Sequence, residues 1–296
     1  LNFKAEMNEK KLFIDSELDS LIPAESEYPQ IIFKAMRYSV FAGGKRIRPV
    51  IILAACEMLG GNIKKAVPFA CAMEMIHTYS LIHDDLPALD NDNFRRGRLT
   101  SHKAFGENIA ILAGDALLSH AFEVMAKATA EESEYQPAFA KAMYAIANGA
   151  GVNGMLTGQV VDVISDGKKL NKETLDFIHL NKTAAMIQAA FKAGAYLGGG
   201  NDEDAQRLSM AGCKIGMAFQ IQDDILDVTG SFEEIGKPVF SDEKNQKTTY
   251  VALVGIDESK KKVETLSQEA IEILGTYGEK AEFLSELTRE LIKRKK

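Results

Sequence analysis

An all-α fold is predicted by three features of the sequence. Ala, Leu, Lys and Glu are frequent, only seven prolines occur in 296 residues, and alternating runs of Val, Ile and Thr are almost absent. No linker or low-complexity stretch divides the chain, so it reads as one domain over residues 1–296, with 46% hydrophobic residues to fill a large core.

Taken in order, residues 1 to about 20 form an amphipathic helix with Leu12, Phe13 and Leu18 on its inner side. A second helix, about 28–41, ends at Gly43-Gly44, a C-terminal stop signal. The loop Gly43-Gly44-Lys45-Arg46-Ile47-Arg48-Pro49 then sets three cations before a helix whose first residue is expected to be Pro49. A helix N-terminus with glycines and cations suits a phosphate group; an exposed basic turn is the alternative.

The next apolar helix runs to Leu59, and another from about Lys64 into His77-Thr78-Tyr79-Ser80-Leu81-Ile82-His83-Asp84-Asp85-Leu86-Pro87-Ala88-Leu89-Asp90. His77, Ser80 and Asp84 share a helix face, and Pro87 is expected to end the helix, leaving carboxylates at its mouth. Acids at a helix C-terminus oppose the macrodipole, so a cation there is the simplest compensation; a solvated acidic turn is the other reading. Carboxylates without clustered Cys or His suit a hard ion such as Mg²⁺, and Arg95 and Arg96 just beyond suit phosphate oxygens.

Gly97 to His102 is expected to be a rim loop, followed by a helix from Gly106 to about Ala128. One long helix is predicted from Gln136 to Asp166, whose four glycines at 149, 151, 154 and 158 point to close approach of another backbone or a ligand, with Gln159 and Asp162 as secondary site candidates. The helix from Lys172 to Gly198 carries Lys182-Thr183 in an apolar middle, where Lys182 either snorkels outward or meets an anion inside. In the helix from Glu203 to Val228, Gln220, Asp223 and Asp227 fall on one face, a second acidic helix end, with Asp224 beside them. A cationic loop holding Lys237 follows, and the remaining helices read as structural.

A net charge of -7 argues against a nucleic-acid partner. Cys56, Cys71 and Cys213 lack metal spacing and read as reduced, buried thiols. With no run of about 18 apolar residues and no leader-like start, a cytoplasmic protein without membrane insertion is expected.

The two acidic motifs, the Gly-Gly-Lys-Arg-x-Arg-Pro loop, the Arg-Arg-Gly rim and the Lys-Thr pair together resemble those of trans-isoprenyl diphosphate synthases, and in particular bacterial farnesyl diphosphate synthases, or geranyltranstransferases. The first motif has their longer form, Asp84-Asp85 to Asp90, and the second their usual spacing, Asp223-Asp224 to Asp227. The resemblance implies a large antiparallel helical bundle of the isoprenoid synthase type with a central cavity, commonly a homodimer. It implies Asp84, Asp90 and Asp223 as main ligands of three Mg²⁺ ions, with Asp85, Asp224 and Asp227 assisting. Arg95, Lys182 and Lys237 would hold the allylic diphosphate, and Gly44, Lys45, Arg48, His77 and Arg96 isopentenyl diphosphate. Thr183, Gln220 and the Lys182 carbonyl would face the carbocation, and Tyr79 with Ser80 would set chain length, favouring a C15 product over C20. A non-catalytic subunit of a prenyl synthase heteromer is the rival, opposed by the retention of both acidic motifs.

Overall fold

The computed structural model describes residues 2–229 and 248–293. The regular structure among the described residues is helical apart from one small hairpin, in keeping with composition and patterning. In chain order the elements are α1 (Phe3–Leu21), α2 (Gln30–Val40), α3 (Ile47–Met58), α4 (Ile63–Asp84), β1 (Phe94–Arg95), β2 (Arg98–Leu99), α5 (Ser101–Phe105) and α6 (Glu107–Glu131). Then follow α7 (Gln136–Ala150), α8 (Met155–Ile164), α9 (Lys172–Ile178), a π-turn (His179–Ala184), α10 (Ala185–Leu197) and α11 (Asp202–Thr229). Beyond residue 247 come α12 (Tyr250–Val254), α13 (Ile256–Gly275), a 3₁₀ turn (Gly278–Ala281) and α14 (Glu282–Lys293).

The interior is built on α3, α4 and α10. In α3, Val50, Ile51, Ile52 and Leu53 are consecutive and all buried, so the helix is apolar on every side and belongs in the core. It lies against α4 and α10. Gly194 lets α10 come close, since a Cβ there would stand 2.7 Å from both the Ile52 carbonyl oxygen and Ala55 Cβ. A second cluster, Leu175, Ala218, Ile221, Ile225, Tyr250, Val263 and Leu266, fastens α9, α12 and α13 to α11. Thus α11 buries Ile221 and Ile225 and keeps Asp223 and Asp227 partly exposed.

Four elements differ from expectation, each for a local reason. Helix α3 starts at Ile47, not Pro49, because Arg46 takes a left-handed conformation (φ 52°) and serves as its N-cap; Pro49 sits in the first turn, where its missing N–H costs nothing. The helix expected over 136–166 breaks into α7 and α8. The chain folds back so tightly there that a Cβ on Gly154 would lie 2.2 Å from the Gly149 carbonyl oxygen. The helix expected over 172–198 contains the π-turn, in which the Ala185 N–H reaches back five residues to Leu180 O. The rim after Arg96 is a hairpin followed by the short α5.

By length and mean hydropathy α6 is long and apolar enough to cross a membrane, the one such helix among the described residues, although it holds no unbroken run of 18 apolar residues. Asp115, His120 and Glu123 interrupt its apolar run, and one of its faces is packed on α4. The three cysteines are free thiols, Cys56 and Cys71 buried and Cys213 partly so. Burial pushes the Cys56 thiol up to about 12, so it is inert as a nucleophile.

Candidate active site

The C-terminal turn of α4 delivers the first motif. Asp84 is its last residue, and the following loop curls back over the helix end: the Asp90 N–H donates to the Asp84 carbonyl at 2.9 Å and the Asn91 N–H to Leu86 O at 3.1 Å. Carbonyls that would be orphaned at the helix end are satisfied this way, and Asp90 is brought beside Asp84. The Asp84 carboxylate accepts from Gln159 Nε2 of α8 at 2.8 Å. Burial, reinforced by Asp90 and Asp85 and opposed by Lys182 and Arg95, pushes its pKa up to about 6. Below it, Tyr79 is 5% exposed and meets His83 edge-on at 5.7 Å, while Ser80 Oγ donates to His77 O at 2.9 Å.

Asp85 is committed to Arg95. The guanidinium makes contacts of 2.6, 2.8 and 2.9 Å to its two oxygens, a bidentate pair. Arg95 is aimed by the hairpin, in which it pairs with Arg98 across a two-residue turn; both turn residues, Arg96 (φ 52°) and Gly97 (φ 76°), have the positive φ that such a turn demands. The hairpin folds onto the glycine loop. Arg96 Nη1 donates to Gly43 O, and a Cβ on Gly44 would stand 2.7 Å from that Nη1, so the bare backbone of Gly44 is what lets Arg96 in.

Four of the isopentenyl-side candidates meet here. Arg48 Nη1 lies 3.4 Å from His77 Nε2, with Gly44 and Arg96 alongside, while Lys45 is exposed at the loop's edge. Arg48 Nε is buried with no hydrogen-bond partner. Burial and then the fields of Arg48, Arg96, Arg95 and Arg46 hold His77 well below the usual imidazole range, so it is neutral. Arg46, expected to be one of three cations in an anion seat or an exposed basic turn, is instead buried and paired with Glu74 and Asp15.

The second motif is linked to the first through α8 and the π-turn. Gly158 of α8 is packed so closely on the π-turn that a Cβ would lie 2.2 Å from the Lys182 nitrogen. Lys182 Nζ meets Asp162 at 2.6 Å, which settles its alternatives in favour of an internal anion, and Thr183 Oγ1 donates to Gln220 Oε1 at 2.8 Å. One turn on, Asp223 and Asp227 share a partly exposed face. Asp224 is 4% exposed and turned to other work: its Oδ2 accepts the Tyr250 N–H at 2.7 Å and lies 3.7 Å from His179 Nε2. Lys237 lies outside the described residues.

The donor set fits a hard divalent cation. It is made of carboxylate oxygens, and Asp84 is a buried carboxyl with Asp90 and Asp85 close by, so a hard cation there would favour its ionised form. Among the described residues no three His, Cys, Asp or Glu side chains converge into a complete cage. A partial protein shell completed by phosphate oxygens is how Mg²⁺ is usually held. Two residues of the site carried a weaker sequence signal, Gln159 and Asp162, and one, Glu74, went unremarked although a lone acid inside the apolar run of α4 marks it.

Carboxylate helix ends joined through a lysine–threonine turn, beside a cationic loop, define a protein that handles diphosphate esters. The chain belongs to the polyprenyl synthetase family, whose profile matches residues 29–287, and it is a prenyltransferase with the all-α fold of isoprenyl synthases. It is 46% identical to a dimethylallyltranstransferase of Fischerella ambigua, over 99% of this chain and 83% of that protein. It is 44% identical to the geranylgeranyl diphosphate synthase of Cyanophora paradoxa, over 95% and 92%. The geranyltransferase of Helicobacter pylori, solved with magnesium and isoprenyl diphosphate, superimposes with a TM-score of 0.84 at 31% identity, covering 99% of this chain and 97% of that one.

Proposed function

We propose that this protein condenses isopentenyl diphosphate head to tail with dimethylallyl and then geranyl diphosphate, giving farnesyl diphosphate and diphosphate. The observation that carries the C15 reading is Tyr79, buried one and a half turns before Asp84 and braced by His83, where it would floor a chain growing down from the acidic mouth. A C20 product is the second reading, favoured by the relatives named geranylgeranyl synthases.

Asp84, Asp90, Asp223 and Asp227 would hold Mg²⁺, which when bound supplies positive charge to a departing diphosphate. Asp85 and Asp224 would serve by fixing Arg95 and α12. Arg95 and Lys182, with Lys237, would grip the allylic diphosphate, so that its C1–O bond breaks with the charge already matched. The hydroxyl of Thr183 and the amide oxygen of Gln220 would face the resulting carbocation. Gly44, Lys45, Arg48, His77 and Arg96 would seat isopentenyl diphosphate; its double bond attacks the cation, and the proton lost passes to the released diphosphate. Exposed Leu112, Tyr144, Val160 and Ile164 on α6, α7 and α8 support self-association into a homodimer.

Incubation with isopentenyl and labelled dimethylallyl diphosphate, with and without Mg²⁺, tests this. A Mg²⁺-dependent C15 product that lengthens on Tyr79→Ala is expected. A C20 product from the unaltered chain overturns the floor, and no condensation overturns the reading.

A further inference from the structure

Arg46 is a non-glycine residue in the left-handed region, 3% exposed, at the junction between the loop that carries Gly44 and Lys45 and helix α3, whose first turn carries Arg48. That backbone conformation costs on the order of 1 kcal/mol and persists only where the surroundings enforce it. Here they do. Nη1 donates to Glu74 at 2.6 Å, Nε to Asp15 at 2.8 Å and Nη2 to Val40 O at 2.7 Å, so each nitrogen of the fork is tied to a different element: α4, α1 and the end of α2.

The partners form a ladder between the start of α3 and the face of α4. Arg46 meets Glu74; two residues on, Arg48 meets His77, three residues beyond Glu74. The first rung is locked by short charged contacts and is buried on both sides. The second is loose, at 3.4 Å, and leaves Arg48 Nε without a partner. A locked rung beside an open one fixes where the open one stands. Glu74 is also the carboxylate whose field favours the charged forms of Arg48 and Arg96, so cations that would otherwise repel can gather at one spot.

We propose that Arg46 is a positioning residue for the isopentenyl diphosphate seat: braced by Glu74, Asp15 and the Val40 carbonyl, it holds the loop so that Arg48 and His77 face one diphosphate together. This rests on the assignment of Lys45, Arg48, His77 and Arg96 to that substrate. A planar fork with three directed donors is needed, which lysine cannot supply.

The test is steady-state kinetics with each substrate varied against saturating amounts of the other. Arg46→Lys is expected to raise the KM for isopentenyl diphosphate about tenfold while kcat and the KM for geranyl diphosphate stay within about twofold. Asp15→Asn, at a partly exposed position and retaining a hydrogen-bond acceptor for Arg46, is expected to give the same split at about threefold. A lowered melting temperature with both KM values unchanged, or a common fall in kcat for both substrates, would make Arg46 merely structural and overturn the proposal. Arg48→Ala is the control. If it leaves the isopentenyl KM unaltered the seat itself is misassigned, whereas a raised KM in Arg48→Ala beside unaltered Arg46→Lys and Asp15→Asn enzymes rejects the positioning role alone.

Discussion

Thr183 Oγ1 donates a hydrogen bond to Gln220 Oε1 across 2.8 Å, joining the π-turn to the helix that ends in the second acidic motif. Thr183→Val keeps the shape and deletes the donor, leaving a partly buried amide oxygen unsatisfied. Stability should fall by about 1 kcal/mol. If these two oxygens face the cation, single-turnover condensation should slow about tenfold with the allylic KM unchanged. An unchanged rate together with the loss of stability would confine the pair to a structural role.

A glycine in α8 is expected to matter as much. Gly158→Ala would put a methyl group 2.2 Å from the Lys182 nitrogen and 2.8 Å from Asn181 C, all backbone that cannot swing aside. Either α8 or the π-turn must shift, at a cost of about 1–3 kcal/mol, and Lys182 and Thr183 shift with it. Urea denaturation and turnover should both register the change. Gly275→Ala, with nothing within 4 Å and at the end of α13, is the control and should be neutral or slightly stabilising.

That pair of glycines also shows how far the sequence could be read. Helical period and the placement of acids at two helix ends were legible because they depend on neighbours along the chain: Asp84 ends α4. The glycines of residues 149–158 signalled close contact correctly, yet not which backbone would approach: Gly149 and Gly158 meet α10 and the π-turn, whereas at Gly154 the chain folds back on its own Gly149 carbonyl and interrupts the helix. The π-turn has no local signature at all, since it is the packing of Gly158 and Gly216 on either side that accommodates its wide backbone. Arg46 misled for the same reason. In sequence it is one cation among three, and only the fold brings Glu74, 28 residues away, to bury it.

The environment of His77 leads to a prediction with a definite sign. Burial and four arginines lower its pKa in the folded protein, while in the unfolded chain it titrates near its ordinary value of about 6.5. The unfolded state therefore binds more protons below that value. Stability owed to this residue is fully present above about pH 6.5 and declines as the pH falls below it. His77→Gln, which cannot titrate, should flatten the decline in urea-midpoint stability between pH 7 and pH 5; a slope as steep as that of the unaltered protein would show that His77 is not its source.

Gln159 offers the sharpest way to separate metal binding from the rest of the site. Its amide donates to Asp84 Oδ1 at 2.8 Å, while Asp90 and Asp85 press on the same carboxylate. The donor favours the ionised, metal-competent form and fixes the orientation of the carboxylate. Gln159→Leu removes it without adding charge, so if Asp84 is a magnesium ligand, the Mg²⁺ concentration for half-maximal activity should rise about tenfold, as is typical when a group supporting a metal ligand is lost. Saturating Mg²⁺ should restore most of the turnover, because the ligand itself is still there. The contrast is Asp84→Asn, in which excess Mg²⁺ should restore little. A Gln159→Leu enzyme with an unshifted Mg²⁺ curve would instead mean that the Gln159 contact only packs α8 on α4, and that Asp84 orients itself through Asp90 and the helix end.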